Sequence, residues 1–487
     1  MQVRQFAIVG LGHLSALISD DATGVAAVLD PRRDVDVYLD AARESGVRIT
    51  HVLETHLHND YVSGGRELAA LTGAEHAIGA GAELRYAHRG VRHRETLDVG
   101  GLRVTALHTP GHTPEHMAYA VADTSRASEP LLLLTGGSLL VGAVGRTDLL
   151  GEANAVPWAH DMYRSLKDVV LPHEDYVGVL PTHGAGSLCS TGISSTPSST
   201  IGFERRFNPM VRPIVEGEDV AAFVQALLGT QPAFPRYFAR MRPTNQEGPA
   251  LLGGRIPEPR GLSVDEVRGL LADGGLLVDA RSSSAWAVAH APGSVSIPAG
   301  PSFGTWLGWV VEPDRPLVLV MDDADDWDEL TRQALRIGFE RVAGYLRGGF
   351  AAWASGTGEI EGLEALTVHD LAGRVSAGGP DAPLVVDVRQ AGEYADGHVP
   401  GSLHVAAGDL PDRLGDLPRD RPIAVVCASG YRAAVGASLL ARAGFRTVAW
   451  VSEGLPAWRA AGLPVEHGEA REAEGLSATL AGHDHRH

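Results

Sequence analysis

The stretch ETHLHNDYVSGG, residues 54–65, closes a predicted strand, forms a turn and opens into a predicted helix. His56 and His58 stand two positions apart in this turn, so both imidazoles can face a single point. Asp60 adds a carboxylate to the same turn, either as a third metal ligand or as a group that transfers a proton. This spacing of side chains indicates a metal site at the end of a strand.

Two later loops present histidine in the same manner. The segment HTPGHTPEH (108–116) places His112 in a tight Pro-Gly turn, and LPTHGAGS (180–187) places His183 directly after another strand. A single histidine is usually an ordinary surface or core residue. Three separate loops that each present histidine at a strand end favour a shared metal site.

The composition limits both the architecture and the partners. With 487 residues the chain is too long for one hydrophobic core, and we expect two to four domains. A formal net charge of −19 argues against a nucleic acid or an anionic membrane as a partner, because both attract clustered Lys and Arg. The two cysteines cannot form a disulfide framework, and no apolar run reaches the roughly 18 residues of a membrane span. The sequence therefore predicts a cytoplasmic protein.

The C-terminal half of the chain repeats itself. The segment LLVDARSSSAWAVAHAPGSVSIP (276–298) matches LVVDVRQAGEYADGHVPGSLHVA (384–406). Each copy alternates apolar strands with helices, which predicts two α/β domains with mostly parallel sheets. The predicted organisation is a metal domain (1–240), a Pro- and Gly-rich linker (241–261), two copies of the repeated unit (262–360 and 361–466) and a polar tail expected to be disordered (467–487).

The histidine motifs resemble the metallo-β-lactamase superfamily, whose signature is a T-H-x-H-x-D turn followed by P-G-H-T. Within it, the segments TPGHTPEHMAY (109–119), TGGSLLVGAVGRTDL (135–149) and LPTHGAGS (180–187) are most similar to persulfide dioxygenases. The resemblance covers about residues 5 to 240. It implies an αββα sandwich of mixed α/β class with the metal between the sheet ends.

Two positions depart from the family pattern. Tyr61 stands where a histidine usually follows the aspartate, which implies a mononuclear site. Gly137, in TGG, stands where TGD supplies an aspartate ligand. Persulfide dioxygenases hold one ferrous ion with two histidines and that aspartate, a set that leaves positions open for oxygen and substrate. The resemblance therefore leaves one ligand set, suited to one Fe(II) or, alternatively, one Zn(II): His56, His58 and His112.

Three further residues are candidates near this site. His183 is an additional possible ligand, as is Asp148 in GRTDL, although the GRTD turn is more often structural in this family. Cys189 follows His183 closely and is either a buried thiol or a persulfide carrier.

The second cysteine lies in CASGYR (427–432), after the apolar run PIAVV (422–426) and before a helical segment. This position places Cys427 at a helix N-terminus, where backbone N–H groups and the helix dipole stabilise a thiolate. Arg432 adds a fixed positive charge. Small residues let the loop curl around the sulfur, and the expected substrate-binding residues are Ala428, Ser429, Gly430 and Tyr431.

The CASGYR loop, VDVRQAGEYADGHVPGSLHV (386–405) and EGLPAW (453–458) resemble rhodanese domains, which carry sulfane sulfur as a persulfide on the loop cysteine. Related phosphatases have one more residue between Cys and Arg, so the four residues here favour sulfur transfer. In the first copy Met321 aligns with Cys427, and Asp326 aligns with Arg432. We expect that copy to be catalytically silent, as a spacer or docking wall.

These residues and resemblances leave three functions open. In the favoured one, an iron centre uses O2 to oxidise a low-molecular-weight thiol persulfide to sulfite, and Cys427 transfers sulfane sulfur, forming thiosulfate. In the second, the metal domain is a zinc hydrolase of thioesters in which Asp60 assists a bound water. In the third, the metal domain is a binding module and only Cys427 is catalytic. The resemblance also implies a homo-oligomer.

Overall fold

The computed structural model describes residues 1–229, 231–258, 260–322 and 327–469. They form two compact units. Unit one contains Met1–Pro257 together with Thr331–Phe339, and unit two contains the remaining described residues. The predicted tail from 470 onward lies outside the described residues.

Unit one contains two six-stranded sheets. Strands of the first sheet lie in chain order: β1 (Gln2–Ile8), β2 (His13–Asp20), β3 (Val25–Leu29), β4 (Arg48–Leu53), β5 (Glu75–Gly79) and β6 (Arg89–Val91). The first three strands pair antiparallel, and β3 to β6 pair parallel.

The second sheet is mostly antiparallel, with one parallel pair. Its strands and the short hairpin beside it are β7 (Thr96–Val99), β8 (Leu102–His108), β9 (Met117–Asp123), β10 (Leu132–Gly136), β11 (Leu139–Leu140), β12 (Ala143–Val144), β13 (Gly178–Pro181) and β14 (Ser199–Thr200). The order in the sheet is β14-β13-β10-β9-β8-β7, and β10 and β13 run parallel.

Helices cover the outer faces of both sheets. In unit one they are α1 (Asp36–Ser45), α2 (Gly65–Thr72), α3 (Glu152–Arg164), a π-helical continuation (Ser165–Val170), α4 (Ile201–Phe207), α5 (Arg212–Glu216), α6 (Val220–Leu228) and α7 (Phe238–Glu247). Side chains of both sheets, such as Leu29, Leu53, Val104 and Leu134, share one buried core between them. This arrangement confirms the αββα sandwich that the sequence predicted.

The sandwich brings four loops to one edge. The loops after β4, β8, β10 and β13 contain, in that order, the 54–64 turn, the His112 turn, Gly137 and His183. Because strand ends fix where each loop begins, residues far apart in sequence meet at this edge.

The segment 241–261, interpreted from its Pro and Gly content as a linker, begins inside helix α7. Asn245 in that helix is buried and its side-chain amide donates to the carbonyl oxygens of His58 and Tyr61, both at 2.9 Å. Arg242 forms two hydrogen bonds to Glu115. The start of the expected linker is therefore part of unit one, because its polar side chains hold the loops that carry His58 and Glu115.

Unit two contains two five-stranded parallel sheets with the same strand order. The first copy has β15 (Gly261–Leu262), α8 (Val264–Ala272), β16 (Leu276–Asp279), α9 (Ser283–Val288), β17 (Val295–Ser296), α10 (Phe303–Val310), β18 (Leu317–Val320), α11 (Trp327–Arg336), β19 (Val342–Leu346) and α12 (Gly349–Thr357). Helix α11 begins in unit two, and its residues from Thr331 belong to unit one.

The second copy has β20 (Glu364–Leu366), α13 (Val368–Ala377), β21 (Leu384–Asp387), α14 (Ala391–Ala395), β22 (Leu403–His404), α15 (Leu410–Arg413), a 3-10 turn (Leu414–Asp416), β23 (Ile423–Cys427), α16 (Tyr431–Arg442), β24 (Val448–Gly454) and α17 (Leu455–Ala460). The sheet orders are β15-β19-β18-β16-β17 and β20-β24-β23-β21-β22, which confirms the internal repeat. Among the helices of the described chain, none has the length and apolarity needed to cross a membrane.

Candidate functional site

The histidine cluster of unit one is fully buried and presents ring nitrogens that lack a hydrogen-bond partner in the described chain. These atoms are His56 Nε2, His58 Nδ1, His112 Nε2 and both ring nitrogens of His183. The ring centroid of His56 lies 4.8 Å from that of His112 and 5.6 Å from that of His183. An unsatisfied buried polar atom costs about 1–3 kcal/mol, so a cluster of them indicates a site for a bound group.

The opposite nitrogen of each of three rings is held by the protein. His56 Nδ1 lies 2.8 Å from Thr55 Oγ1, and His112 Nδ1 lies 2.8 Å from the carbonyl oxygen of Arg146. His58 Nε2 lies 3.2 Å from Asp30 Oδ1. Metal-binding histidines are usually oriented in this way, with the outer N–H donating to an oxygen. The cluster therefore fits a divalent metal ion.

Asp30 is a buried carboxylate that orients the loop after β4, which carries Thr55 and His58. It accepts hydrogen bonds from the backbone N–H of Thr55 at 2.7 Å, from the Thr55 hydroxyl at 2.8 Å and from the Thr182 hydroxyl. Burial alone would raise the pKa of Asp30, but His58 and these donors outweigh burial and lower it. Asp30 thus stays ionised and ties the loop after β4 to the end of β13.

The potential ligand atoms form two groups, in each of which all atoms lie within 4.8 Å of one another. One group contains His56, His58 and His183, and the other contains His112, His183 and Cys189. His183, which the sequence offered as an additional ligand, belongs to both groups. The expected set of His56, His58 and His112 lies in the same cluster, and its role as the ligand set stays a prediction.

Asp60 and His183 face each other inside the cluster. The Asp60 carboxylate is buried, neither of its oxygens has a hydrogen-bond partner in the described chain, and Oδ2 lies 3.3 Å from His183 Nδ1. Burial alone would raise the pKa of Asp60, but His183 and nearby histidines outweigh burial and lower it to about 2. Burial alone would lower the pKa of His183, but its interactions with Cys189 and Asp60 outweigh burial and raise it.

Gly137, Asp148 and Tyr61, which the sequence singled out, each contact a different part of the site. A Cβ atom on Gly137 would lie 2.2 Å from His112 Cδ2, so the His112 ring occupies the space that a side chain there would need. The Asp148 carboxylate accepts two hydrogen bonds from Arg146, at 2.6 and 2.7 Å. The ring of Tyr61 stacks on His58 with centroids 4.4 Å apart. Asp148 and Tyr61 thus support the loops around the cluster.

Sequence reasoning missed three residues at this site. His116 Nε2 accepts the N–H of Gly137 at 2.9 Å and His116 Nδ1 lies 2.8 Å from Thr109 Oγ1, so this ring fixes the loop after β10. His13 is buried with Nε2 2.9 Å from the carbonyl oxygen of Asp30. Burial lowers the pKa of His13 and of His116 to about 3. The third residue is Asp30, and the only signal for it was a carboxylate directly after a strand.

Cys427 ends β23 in unit two, and its sulfur lies in a cradle of backbone N–H groups. Sγ accepts the N–H of Gly430 at 3.1 Å and that of Ser429 at 3.4 Å, and the side chain is buried. Gly430 has φ +85°, and a Cβ there would lie 2.5 Å from the carbonyl oxygen of Ser452. The loop therefore needs glycine at this position to close around the sulfur.

The Arg432 side chain is held by Glu393. Its guanidinium forms two hydrogen bonds to Glu393, at 2.6 and 2.8 Å. Burial alone would lower the pKa of Arg432, but these bonds outweigh burial and raise it. Asp387 and Arg389 form a buried ion pair at 2.6 Å that also reaches the carbonyl oxygen of Gly397. This pair braces the end of the sheet, and the first copy has the same pair in Asp279 and Arg281.

The first copy of the repeat lies beside the Cys427 loop within unit two. The Tyr431 hydroxyl donates to the carbonyl oxygen of Pro298 at 3.3 Å, and its ring lies 6.3 Å from that of Trp306. Met321 is buried where Cys427 stands in the second copy, while Asp326 lies outside the described residues. The copy without a thiol therefore forms a wall next to the loop of the other.

Comparison with known proteins agrees with both halves of this structure. Residues 263–356 and 367–461 match the family model described as a rhodanese-like domain. The chain is 30% identical to a metallo-beta-lactamase from Staphylococcus aureus subsp. aureus COL of known crystal structure, with 98% of that chain and 71% of this one covered and a TM-score of 0.61. This chain belongs to the metallo-β-lactamase family. Unit one is its metallo-β-lactamase domain, and unit two adds two rhodanese-like domains.

This metallo-β-lactamase-family chain is also similar to a curated hydrolase and to a second protein of known structure. It is 35% identical over 158 residues to hydroxyacylglutathione hydrolase from Rhodospirillum rubrum, which is 30% of this chain and 61% of that protein. ETHE1 from Myxococcus xanthus is 28% identical, with 98% of that chain and 50% of this one covered and a TM-score of 0.43. The chain spans about half of the length, 46%, of further curated relatives.

Proposed function

We propose that this protein oxidises a low-molecular-weight thiol persulfide to sulfite at the histidine cluster and transfers sulfane sulfur through Cys427, forming thiosulfate. One observation carries the proposal. A single chain pairs a buried histidine cluster with ring nitrogens lacking partners in the described chain and a thiol whose sulfur accepts two backbone N–H groups. The motif resemblance to persulfide dioxygenases supports the first activity, and the rhodanese-like match supports the second.

The proposed ion is Fe(II), held by histidines of the cluster, which when bound supplies the place where O2 and the persulfide react. The residues of the chain prepare the site. Asp30, Thr55 and the Arg146 carbonyl fix which ring nitrogen of His58, His56 and His112, respectively, faces inward. The walls are buried, so bulk water is kept from the reacting sulfur.

Asp60 is the proposed proton-transfer group of the cluster. With a pKa of about 2 it is ionised at neutral pH, so it can relay the proton that the persulfide releases on to solvent but does not retain it. The overall reaction is RSSH + O2 + H2O → RSH + SO3²⁻ + 2H⁺. The terminal sulfur loses four electrons and O2 gains four.

The second reaction needs no oxidant. The Cys427 thiolate attacks the terminal sulfur of another persulfide, a new S–S bond forms to Cys427, and the S–S bond of the persulfide breaks to release the free thiol. Sulfite then attacks the outer sulfur on Cys427, thiosulfate leaves, and the thiolate is regenerated. The N–H groups of Ser429 and Gly430 hold the negative sulfur before and after transfer.

A second candidate function is hydrolysis of a thioester at a zinc ion in the same cluster. The similarity to hydroxyacylglutathione hydrolase favours it. Here Asp60 would orient a water molecule and remove its proton. The reaction consumes no oxygen, which separates it from the dioxygenase.

The test measures oxygen uptake by anaerobically iron-loaded full-length protein after glutathione persulfide is added, with sulfite and thiosulfate quantified. We expect rapid uptake and thiosulfate. His112→Ala should abolish oxygen uptake and leave sulfur transfer intact, whereas Cys427→Ser should abolish sulfur transfer and let sulfite accumulate. No oxygen uptake, together with thioester hydrolysis by the zinc-loaded protein, would replace the dioxygenase with the hydrolase.

A further inference from the structure

Cys189 lies in the loop after β13 and is buried against the histidine cluster. Its exposed fraction is 1%, and its sulfur lies within 4.8 Å of ligand atoms of His112 and His183. The backbone on both sides is fixed. The Cys189 N–H donates to Ser187 Oγ at 3.2 Å, and its carbonyl oxygen accepts the N–H of Arg146 at 2.8 Å. The thiol is therefore positioned by the loop and is not a side chain that fills an apolar core.

The groups around Cys189 lack partners of their own in the described part of the chain. His112 Nε2 and both ring nitrogens of His183 have none, and neither do the two oxygens of Asp60. The exposed fractions of these three side chains are 0%, 0% and 3%. Asp60 Oδ2 and His183 Nδ1 are 3.3 Å apart, and apart from this contact the buried nitrogens of His112 and His183 lie beside the thiol with no partner in the described chain, which is the arrangement of a ligand set around a cation.

The chain also lacks the usual source of an anionic ligand at this place. Gly137 has no side chain, and the His112 ring occupies the volume that a Cβ there would need, at 2.2 Å from its Cδ2 atom. Restoring a carboxylate on that loop would require His112 to move. Cys189 belongs to a different loop, and its sulfur already lies within 4.8 Å of a ring nitrogen of His112.

We propose that Cys189 is a thiolate ligand of the metal centre, bound together with His112 and His183. The thiol proton leaves to solvent as the ion binds, because a thiolate and not a thiol is the ligand. The resulting sulfur and nitrogen donors select a borderline-soft divalent ion such as Fe(II) or Zn(II) over Mg(II) or Ca(II). This inference rests on the metal centre of the proposed function but on neither of its reactions.

The test is an anaerobic titration of metal-free full-length protein with Co(II), followed by absorption spectroscopy. A cobalt–thiolate bond gives a strong near-ultraviolet charge-transfer band, whereas histidine and carboxylate ligands give only weaker visible bands. We expect the band to saturate with cobalt in the natural protein and to disappear in Cys189→Ser, with cobalt affinity reduced by about 10-fold or more. Cys427→Ser is the matched control, since it removes the other thiol of the chain and should leave the band unchanged.

A further variant covers the case in which Cys189→Ser does not fold. Cys189→Asp keeps an anionic donor, so it should bind cobalt but lack the charge-transfer band. Its fold is checked by circular dichroism and by sulfur transfer through Cys427. Cobalt bound to the natural protein without the band, or a band that survives both substitutions of Cys189, overturns this inference and leaves the proposed function standing. Failure of the natural protein to bind cobalt overturns the metal centre, and with it the proposed function.

Discussion

The ring of His112 fills the space next to the backbone of Gly137, and that space can hold either this ring or a side chain at position 137. A Cβ on Gly137 would lie 2.2 Å from His112 Cδ2 and 2.7 Å from His112 Nε2, the nitrogen that faces the cluster. At residue scale, therefore, the loss of the family's aspartate and the position of His112 belong together. A change at one of them acts on the other.

Gly137→Asp should consequently impair the site, even though it restores the family motif. Forcing a side chain against a buried ring costs about 1–3 kcal/mol of the free energy of unfolding, and it displaces a nitrogen that we propose as a metal ligand. Thermal unfolding and cobalt titration measure the two effects. Gly137→Ala is the matched control, because its Cβ alone should produce the same clash. An unfolding temperature and a cobalt affinity equal to those of the natural protein in Gly137→Asp would show that His112 moves freely and would contradict this account.

Residues whose roles are local could be predicted from the sequence, and residues whose roles depend on distant contacts could not. His56 and His58 share a turn, and Cys427 and Gly430 share a loop, so spacing alone brought them together. Asp30 acts on the same turn from another strand, and its distance from His58 along the chain gives no pattern to read. Side-chain contacts of this kind become visible only when the sheet is assembled.

At the scale of elements, helix α7 supports the loop after β4, which carries His56 and His58 and is called the metal loop below. Asn245 donates to the carbonyl oxygens of His58 and Tyr61 and accepts the N–H of Ser63 at 2.9 Å. A turn rich in backbone polar groups cannot stay buried without such partners. The proline and glycine content of 241–261 predicted a linker. Composition does not show which side chains make buried contacts, so it missed the contacts of Asn245.

Asn245→Ala should loosen the metal loop. It removes all three side-chain hydrogen bonds to buried backbone groups, so we expect a loss of about 1–3 kcal/mol in the free energy of unfolding. We also expect cobalt affinity to fall by about 10-fold or more, because the loop that carries His58 loses its support.

Asn208→Ala is the matched control for that experiment. Asn208 is also buried, and it donates to the carbonyl oxygen of Ala143 at 3.0 Å and to Glu204 at 2.8 Å, away from the cluster. Its loss should lower stability without changing cobalt affinity. Equal loss of cobalt affinity in both variants would reduce the role of Asn245 to general stability.

At the scale of the whole molecule, the internal repeat made the fold of unit two predictable. Both copies build the same five-stranded parallel order, and both keep a buried Asp–Arg pair, Asp279 with Arg281 and Asp387 with Arg389. The repeat could not show that Tyr431 of one copy would lie against Pro298 and Trp306 of the other, because that contact depends on how the two sheets pack. The sequence repeat thus predicted the fold of each copy but not the contact between the two copies.

The two units should also differ in their response to acid. Burial lowers the pKa of His13 and His116 in unit one to about 3, whereas an unfolded histidine has a pKa of about 6.5. Above pH 6.5 both states are neutral, and the stabilising contribution is complete. Below it the unfolded state takes up protons first, so each histidine should cost metal-free unit one about 1.4 kcal/mol per pH unit until the folded pKa is reached.

This effect is measured by denaturant unfolding of the metal-free protein at about pH 7.5, 6.5 and 5.5. These pH values lie above, at and below the pKa of an unfolded histidine. Seven of the eight tryptophans lie in unit two, and only Trp158 lies in unit one, so fluorescence follows unit two while circular dichroism follows both. We expect the circular dichroism transition to separate from the fluorescence transition as the pH falls. His116→Gln should reduce the separation, since glutamine keeps an acceptor for the Gly137 N–H but does not titrate. Transitions that stay coincident at every pH would mean that the buried histidines do not control the acid stability of unit one.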